Sequence, residues 1–457
     1  MKKSKLVEWI PFLLLSGIAL VGCVMSPGKL VTQPGMDTGD IAWVIVASTL
    51  VFLMTPGLSF FYGGMVSRKN IISTMLQSFI ATGLISVLWI VVGFSLAFGH
   101  SFHGLIGSPF TFLFFRHVLD GAPWPLAPTI PLLLFALFQL KFAIITPALV
   151  VGAVAERIQF KAYLLFMLLF SLFIYAPIAH WTWNPEGILF KFGVLDFAGG
   201  TVVHISAGCA ALAGALVLKR RKSHMMKKEM HPANIPFVLL GTGLLWFGWF
   251  GFNAGSALGA NALAVSAFAT TNTATAAAGL AWLFFDSVRG RKPSAIGFCV
   301  GAVVGLVAIT PAAGYVGIPQ SLCIGVLAAV VSNLAVHWKS KSSIDDTLDV
   351  FPCHGLGGMV GMLLTGLFAS TAINAGGADG WVYGNFTLFL HQFLAMLLVV
   401  GYSFLMGLVI FKVVNMIYPI RVTEEEEELG LDLSQHDEQY SPEGSPAVAG
   451  PQIFEYV

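Results

Sequence analysis

The sequence predicts an all-α polytopic membrane protein with 11 transmembrane helices, its N-terminus outside and its C-terminus inside. Three observations carry that prediction. Hydrophobic residues make up 56% of the 457 positions and charged residues only 10%, whereas a soluble domain usually carries about 25% charged residues. The apolar residues fall into successive runs near the ~20 residues that a bilayer-spanning helix requires. The basic residues concentrate in alternate connections between those runs, and Lys and Arg accumulate on the cytoplasmic side. A net charge of +1 gives no basic surface for nucleic acid, so charge matters here through its position along the chain.

Residues 1–23 begin with Lys2, Lys3 and Lys5, continue through an apolar run to Leu20 and end in LVGC at Cys23. This is the layout of a secretory signal peptide. The same four residues match a bacterial lipoprotein cleavage box ending at Cys23, and a retained extra helix is the alternative. Residues 24–40 read as an external linker. The membrane domain, 41–420, holds spans expected at about 41–63, 71–98, 129–152, 161–180, 196–218, 235–254, 261–285, 295–310, 318–337, 354–371 and 386–416. The last exceeds the length of a simple span, so it is expected to tilt or to continue beyond the membrane. Residues 421–457 form a cytoplasmic tail that opens with Glu424 to Glu428 and closes in a Pro, Gly and Ser stretch, a composition that stays disordered when free.

Orientation follows from the connections. Arg68 with Lys69, Arg157 with Lys161, Lys219 to Lys222 with Lys227 and Lys228, Arg289 to Lys292, Lys339 with Lys341, and Arg421 fall in alternate ones. The other set carries only Lys29, Arg116 and Lys191. The first span therefore starts outside. The loops 99–128 and 181–195 are then external, and their Gly, Pro and aromatic residues suit the walls of a vestibule. Asp196 precedes His204 in the fifth segment and Asp349 precedes His354 in the tenth, five segments later. That pattern predicts an inverted 5+5 helix repeat plus one long C-terminal helix, with a site at the repeat interface.

The stretch DFAGGTVVHISAGCAALAGA, Asp196 to Ala215, places a carboxylate and a histidine in an otherwise small and apolar run. Asp196, Gly200, His204 and Gly208 stand at successive i+4 positions and would form one stripe on an α-helix. Two readings are open: a seam of small residues for close helix packing, or a functional site, since intramembrane ionisable groups mark such sites. His354, Gly358, Gly361 and Thr365 make a comparable stripe. If the two faces pack together the imidazoles meet, share their hydrogens, and offer a small polar solute a donor and an acceptor without a fixed charge. The competing reading is two independently satisfied core histidines. No third ligand stands at a metal-binding spacing. The five cysteines, Cys23, Cys209, Cys299, Cys323 and Cys353, lack CxxC spacing and support neither a disulfide framework nor zinc.

Near the external ends lie Phe138, Phe142, Trp183, Trp249 and Phe252, with Asn253 to Ser256 following. Aromatic walls edged by a hydroxyl can hold a small cation at about 0.5–2 kcal/mol per cation–π contact. The ordinary aromatic belt of a membrane protein is the alternative for any one of them. HExxH, GxSxG and paired catalytic carboxylates do not occur, so the sequence points to neither an enzyme nor a cofactor.

The motifs DFAGGTVVHISAG, GAVAERIQF (Gly152 to Phe160), GWFGFNAGSA (Gly248 to Ala257) and DDTLDVFPCHGLGG (Asp345 to Gly358) resemble the ammonium transporter family (Amt/Mep/Rh), specifically its bacterial Amt branch. The resemblance runs from about Asp40 into the tail. It implies ammonium recruitment by Phe138, Trp183 and Ser256, a phenyl gate of Phe142 and Phe252, pore histidines His204 and His354, and a supporting role for Asp196. It implies ammonia passage after deprotonation, methylammonium as an analogue substrate, a homotrimer in the plasma membrane (the inner membrane of a Gram-negative cell), contact with membrane lipid, and a PII-type regulatory protein at the cytoplasmic face. An ammonium sensor signalling through its tail and an Rh-like gas channel are the alternatives it leaves. Leu140 and Lys141 stand where bacterial relatives tend to have small or polar residues, and Lys141 is expected to snorkel away from the pore. Pro352 and Cys353 replace a commoner small and apolar pair, and the PAVAG end of the tail is an addition.

Overall fold

A computed structural model describes residues 5–26, 28–31, 34–227 and 231–440. Lys2, Lys3, Lys228 and the PAVAG end fall outside these described residues. Helix α1 (Lys5–Val24) carries the apolar run that precedes Cys23, and its large side chains are exposed, Trp9, Phe12 and Leu14 among them. The helices that follow are α2 (Thr38–Met65), α3 (Arg68–Phe98), α4 (Leu132–Val154), α5 (Phe160–Lys191), α6 (Gly200–Leu218) and α7 (Ile235–Gly255), then α8 (Ala262–Val288) and α9 (Ala295–Ile309). They are completed by α10 (Ile318–Ser340), α11 (Phe351–Phe368) and α12 (Phe386–Ile417). Among the described residues nine of these are long and apolar enough to cross a membrane. The other two expected segments are filled by α8, which has 27 residues but is rich in Ala and Thr, and α9, which is apolar but has only 15.

The loop between α3 and α4 contains a small antiparallel pair, β1 (Ser101–Phe102) and β2 (Ile106–Gly107). It is fastened to α5: Trp181 Nε1 donates to the Leu105 carbonyl at 2.7 Å and the Ser101 amide donates to Glu186 at 3.0 Å. In this way the loop and the C-terminal half of α5, which carries Trp183, form one rim.

Two expectations are corrected. Asp196 does not lie on a helical stripe with His204, because it precedes α6, and residues Gly200–Ile205 form a π turn rather than α-helix. A π turn widens the hydrogen-bond spacing to i+5 and rotates the side chains off the i+4 register. The second correction concerns the repeat. Asp349 sits in a left-handed conformation (φ 59°) before α11. The residue that occupies the place of Asp196 is Asp346, whose carboxylate accepts from the amides of Val350 and Phe351 at 3.0 and 2.8 Å.

The connections after α4, α6 and α10 converge on Arg221, which is 3% exposed and pairs with Glu156 at 2.5 Å and Asp345 at 2.7 Å. The neighbouring Arg157 is fully buried and donates to the Asp345 carbonyl at 2.5 Å and to Thr347 Oγ1 at 2.7 Å. Burial pulls its guanidinium down to about 10. The tail docks over this cluster. Helix α13 (Glu424–Leu429) starts with a capping box between Thr423 and Glu426, and α14 (Leu431–His436) follows. Glu427 accepts from Arg421 at 2.8 Å and from the Lys222 amide at 2.6 Å. The Asp432 carboxylate takes the otherwise unpartnered amides of Ile72 and Ser73 at 3.0 and 2.7 Å, acting in trans as the cap of a helix start.

Candidate functional site

The site is built where the π turn of α6 meets that of α11. Residues Gly200–Ile205 and Phe351–Leu356 are both π-helical, a distortion frequent at functional sites that the chain also has at Trp89–Gly93 and Ser171–Tyr175. Gly199, at φ 116°, makes the left-handed entry into α6 that only glycine adopts at low cost. Farther along, Gly208 faces the backbone of Gly355 so closely that a Cβ would overlap it. This contact brings the two histidine-bearing turns together.

His204 and His354 are 1% and 3% exposed, and their Nδ1 atoms lie 3.4 Å apart. At that separation one Nδ1 carries the hydrogen and the other accepts it. The remaining ring nitrogens are therefore unlike: one Nε2 has a lone pair, the other a hydrogen. His204 Nε2 has no protein partner. Its ring stacks on Trp249 (centroids 5.3 Å apart, planes at 17°), and Trp249 Nε1 is fixed by Thr310 Oγ1 at 2.9 Å. Beside the pair lies a narrow cavity of about 10 Å³ walled by apolar side chains such as Leu58, Ile145, Leu149, Leu245 and Val303. That volume is at the lower limit of what one molecule the size of water needs.

Above the cavity Phe142 and Phe252 stack with centroids 4.2 Å apart and planes inclined by 31°. Phe142 also meets Phe138 and Trp183 edge-on, at 5.0 and 5.7 Å. Ser256 donates its hydroxyl hydrogen to the Phe252 carbonyl at 2.8 Å, which leaves its oxygen lone pairs as acceptors at the rim. Phe138, Trp183 and Ser256 thus cluster around the Phe142–Phe252 pair, and the Phe252 ring lies 6.2 Å from that of His204.

Asp196 does not face the aromatic well as a free carboxylate. Its two oxygens accept from the amides of Gly199, Gly200 and Thr201 at 2.7–2.8 Å and from Thr201 Oγ1 at 2.5 Å. Its own carbonyl accepts from Trp183 Nε1 at 3.0 Å. One residue therefore caps the turn that carries His204 and holds the indole at the rim. Asp346, missed in the sequence, does the capping for the turn that carries His354. The usable signal was spacing, since each aspartate stands eight positions before its histidine. Replacing Asp346 with alanine removes two charge-assisted hydrogen bonds, each worth about 1.5–3 kcal/mol. The expected result is a loss of roughly tenfold or more in transport with a measurable fall in thermal stability, whereas Asp346→Asn retains part of both. Wild-type transport and melting in Asp346→Ala would remove its positioning role.

Lys141 turns away from Phe142 and lies over the ring of Phe52, 5.3 Å from its centre. Among the described residues no group of three His, Cys, Asp or Glu side chains is placed to hold a metal ion.

Comparison with known proteins agrees with this geometry. The sequence model of the Ammonium Transporter Family matches residues 42–440. An ammonium transporter of Aquifex aeolicus is 45% identical over 426 residues, covering 93% of this chain and 98% of that one. The crystal structure of Saccharomyces cerevisiae Mep2 superposes with a TM-score of 0.83 at 36% identity, covering 90% of this chain and 94% of Mep2. A structure described as a sensor Amt protein gives a TM-score of 0.78 at 30% identity, covering 87% and 98%.

Proposed function

The chain belongs to the ammonium transporter family, and from that premise we propose that it takes up ammonium across the plasma membrane by deprotonation at the mouth and passage of ammonia. The observation that carries this reading is the Nδ1-to-Nδ1 pair of His204 and His354 in a cavity sized for one small molecule beneath stacked phenyl rings. Ammonium loses its water to the rings of Phe138, Phe142 and Trp183, through cation–π attraction, and to the lone pairs of Ser256. An ion at the bilayer centre costs at least ~2.5–3.5 kcal/mol, so the apolar passage below Phe142 and Phe252 favours deprotonated ammonia. The unlike Nε2 atoms of the histidine pair then accept from and donate to that neutral molecule. The test is methylammonium uptake in a strain lacking its own ammonium transporters. Accumulation is expected; no accumulation by correctly inserted protein overturns the reading.

In the same reading α2–α12 are eleven spans, with the N-terminus outside and the C-terminus inside. Helices α2–α6 and α7–α11 form inverted halves, and α12 is the additional helix. The matched eight-residue spacings and π turns support the repeat. Residues 1–23 act as a signal peptide ending in the lipoprotein-type box at Cys23, 24–40 as the external linker, 41–420 as the transport domain and 421–457 as the regulatory tail. The family relationship favours a homotrimer, and the docked tail offers a cytoplasmic surface for a PII-type protein. The docked tail and the likeness to a sensor Amt protein also favour a second reading, ammonium sensing. Deleting 421–457 and comparing transport with nitrogen signalling separates the two.

A further inference from the structure

The β1–β2 hairpin carries large apolar side chains at its tip that the rest of the described chain leaves exposed. His103 and Gly104 form the turn at φ 55° and 76°, and the Leu105 amide donates to the Phe102 carbonyl at 3.0 Å. Two residues of positive φ suit the twist of a hairpin. Phe102 and Leu105 flank this turn and are 65% and 49% exposed.

Three fastenings to α5 fix the height of the tip. The Leu105 carbonyl accepts from Trp181 Nε1 at 2.7 Å, the Gly104 carbonyl accepts from the Ile188 amide at 3.1 Å, and Ser101 Oγ lies 2.8 Å from His180 Nε2. Trp181 stands 21 residues along α5 from its first residue, Phe160, a rise of about 31 Å. The hydrocarbon core of a bilayer is about 30 Å thick. Leu105, held by that indole, therefore lies where hydrocarbon gives way to headgroups.

Helix α12 fixes the side on which the tip lies. The Trp181 ring meets that of Tyr402 with centroids 4.7 Å apart, and the Tyr402 hydroxyl donates to the Phe173 carbonyl at 2.6 Å. Leu398 and Leu405, one turn to either side of Tyr402, are exposed, as is Phe173. The hairpin tip thus continues the outward apolar face of α5 and α12. A Trp and a Tyr side by side at this depth match the aromatic belt of a membrane interface.

Resting on the membrane topology proposed above, we propose that the β1–β2 hairpin is a lipid anchor, with Phe102 and Leu105 inserted into the bilayer interface on the Trp183 side, the outer leaflet in that topology. The partner is the boundary between phospholipid headgroups and acyl chains. That region accepts apolar and aromatic side chains, and backbone entering it needs its polar groups paired. The tip meets this condition: the Leu105 amide and carbonyl and the Gly104 carbonyl are bonded as described, and the Gly104 amide donates to Ser101 Oγ at 2.9 Å. Trp183 lies on α5 between Trp181 and Glu186, both of which hold the hairpin. The bilayer therefore steadies the rim that carries this indole.

The experiment places a nitroxide spin label at Phe102→Cys or Leu105→Cys of the full-length protein in phospholipid nanodiscs. Cys23 and Cys323, the exposed and half-buried native cysteines, are replaced by serine. Ala372→Cys, at an exposed residue between α11 and α12, serves as the reference. Dissolved oxygen concentrates in the bilayer and a water-soluble nickel chelate does not, so the ratio of their collision rates with the label reports depth. That ratio should be severalfold higher at both hairpin positions than at position 372. A ratio equal to the reference at either position overturns the proposal, since the tip then stands in water. Protection from both reagents overturns it as well and assigns the surface to a protein contact such as a second copy of the chain.

Discussion

Replacing His204 and His354 together with leucine should cut methylammonium uptake by roughly 100-fold and leave the fold intact. The physical argument rests on what each nitrogen does. In the proposed mechanism an ammonia molecule below Phe142 and Phe252 has lost its water, and the histidine pair supplies the acceptor and donor that replace it. Leaving two such hydrogen bonds unmade costs about 2–4 kcal/mol, which at ~1.4 kcal/mol per factor of ten corresponds to roughly 30–1,000-fold in rate. Stability should move differently. The Nδ1 atoms, 3.4 Å apart, satisfy one another, and replacing both partners with apolar groups of similar shape is nearly neutral. A single His204→Leu change instead leaves His354 Nδ1 buried without its partner, so this single variant should melt below the double one. Uptake assays and thermal melts of the purified variants measure both effects. A double variant with wild-type uptake, or one less stable than either single variant, would contradict the shared-hydrogen arrangement.

Much of this site was legible in the sequence because its ingredients are costly in a membrane. Two histidines and a carboxylate in apolar runs stand out against hydrocarbon, and the glycines beside them announce close packing, as Gly208 against Gly355 bears out. Hydrophobic length likewise placed the helices closely: 386–416 was expected where α12 runs Phe386–Ile417. The π turns were not legible, since a periodicity argument assumes regular 3.6-residue spacing and a one-residue bulge leaves no signature in composition. That assumption put Asp196 on the His204 stripe and directed attention to Asp349 rather than Asp346. Both aspartates act through backbone amides, and amides are the same for every sequence. The buried Arg221 cluster was hidden for a related reason. Arg221 reads as one of several loop cations that set orientation, and only the folded loops show that it is buried between Glu156 and Asp345.

That cluster carries the largest expected effect on stability. Arg221→Met removes the partner of two carboxylates that are 5% and 1% exposed, and breaking a buried ion pair from one side costs about 3–5 kcal/mol. The loop that contains Arg221 also supports the docked tail through Lys222 and Glu427, so the variant should release the tail as well as melt earlier. Burial works against ionisation of both carboxyls, yet Arg221 holds Glu156 below its usual range and Asp345 well below it. A depressed folded-state value gives stability that is complete above the unfolded values, ~4.3 for Glu and ~3.9 for Asp, and that is lost as pH falls through the folded ones. Wild-type protein should therefore keep this contribution between pH 7 and 5 and begin to lose it below about pH 4. In Arg221→Met the sign reverses for Glu156: without its cation, burial raises the carboxyl, so protonation on mild acidification should restore stability. Adding Glu156→Gln to Arg221→Met should recover part of the loss at neutral pH, because it replaces the unpaired charge with a neutral group of the same shape. Thermal melts across pH 4–7 on wild type, Arg221→Met and the double variant test the scheme. Arg221→Met with a wild-type melting temperature and no such acid recovery would show that the triad contributes little to holding these loops together.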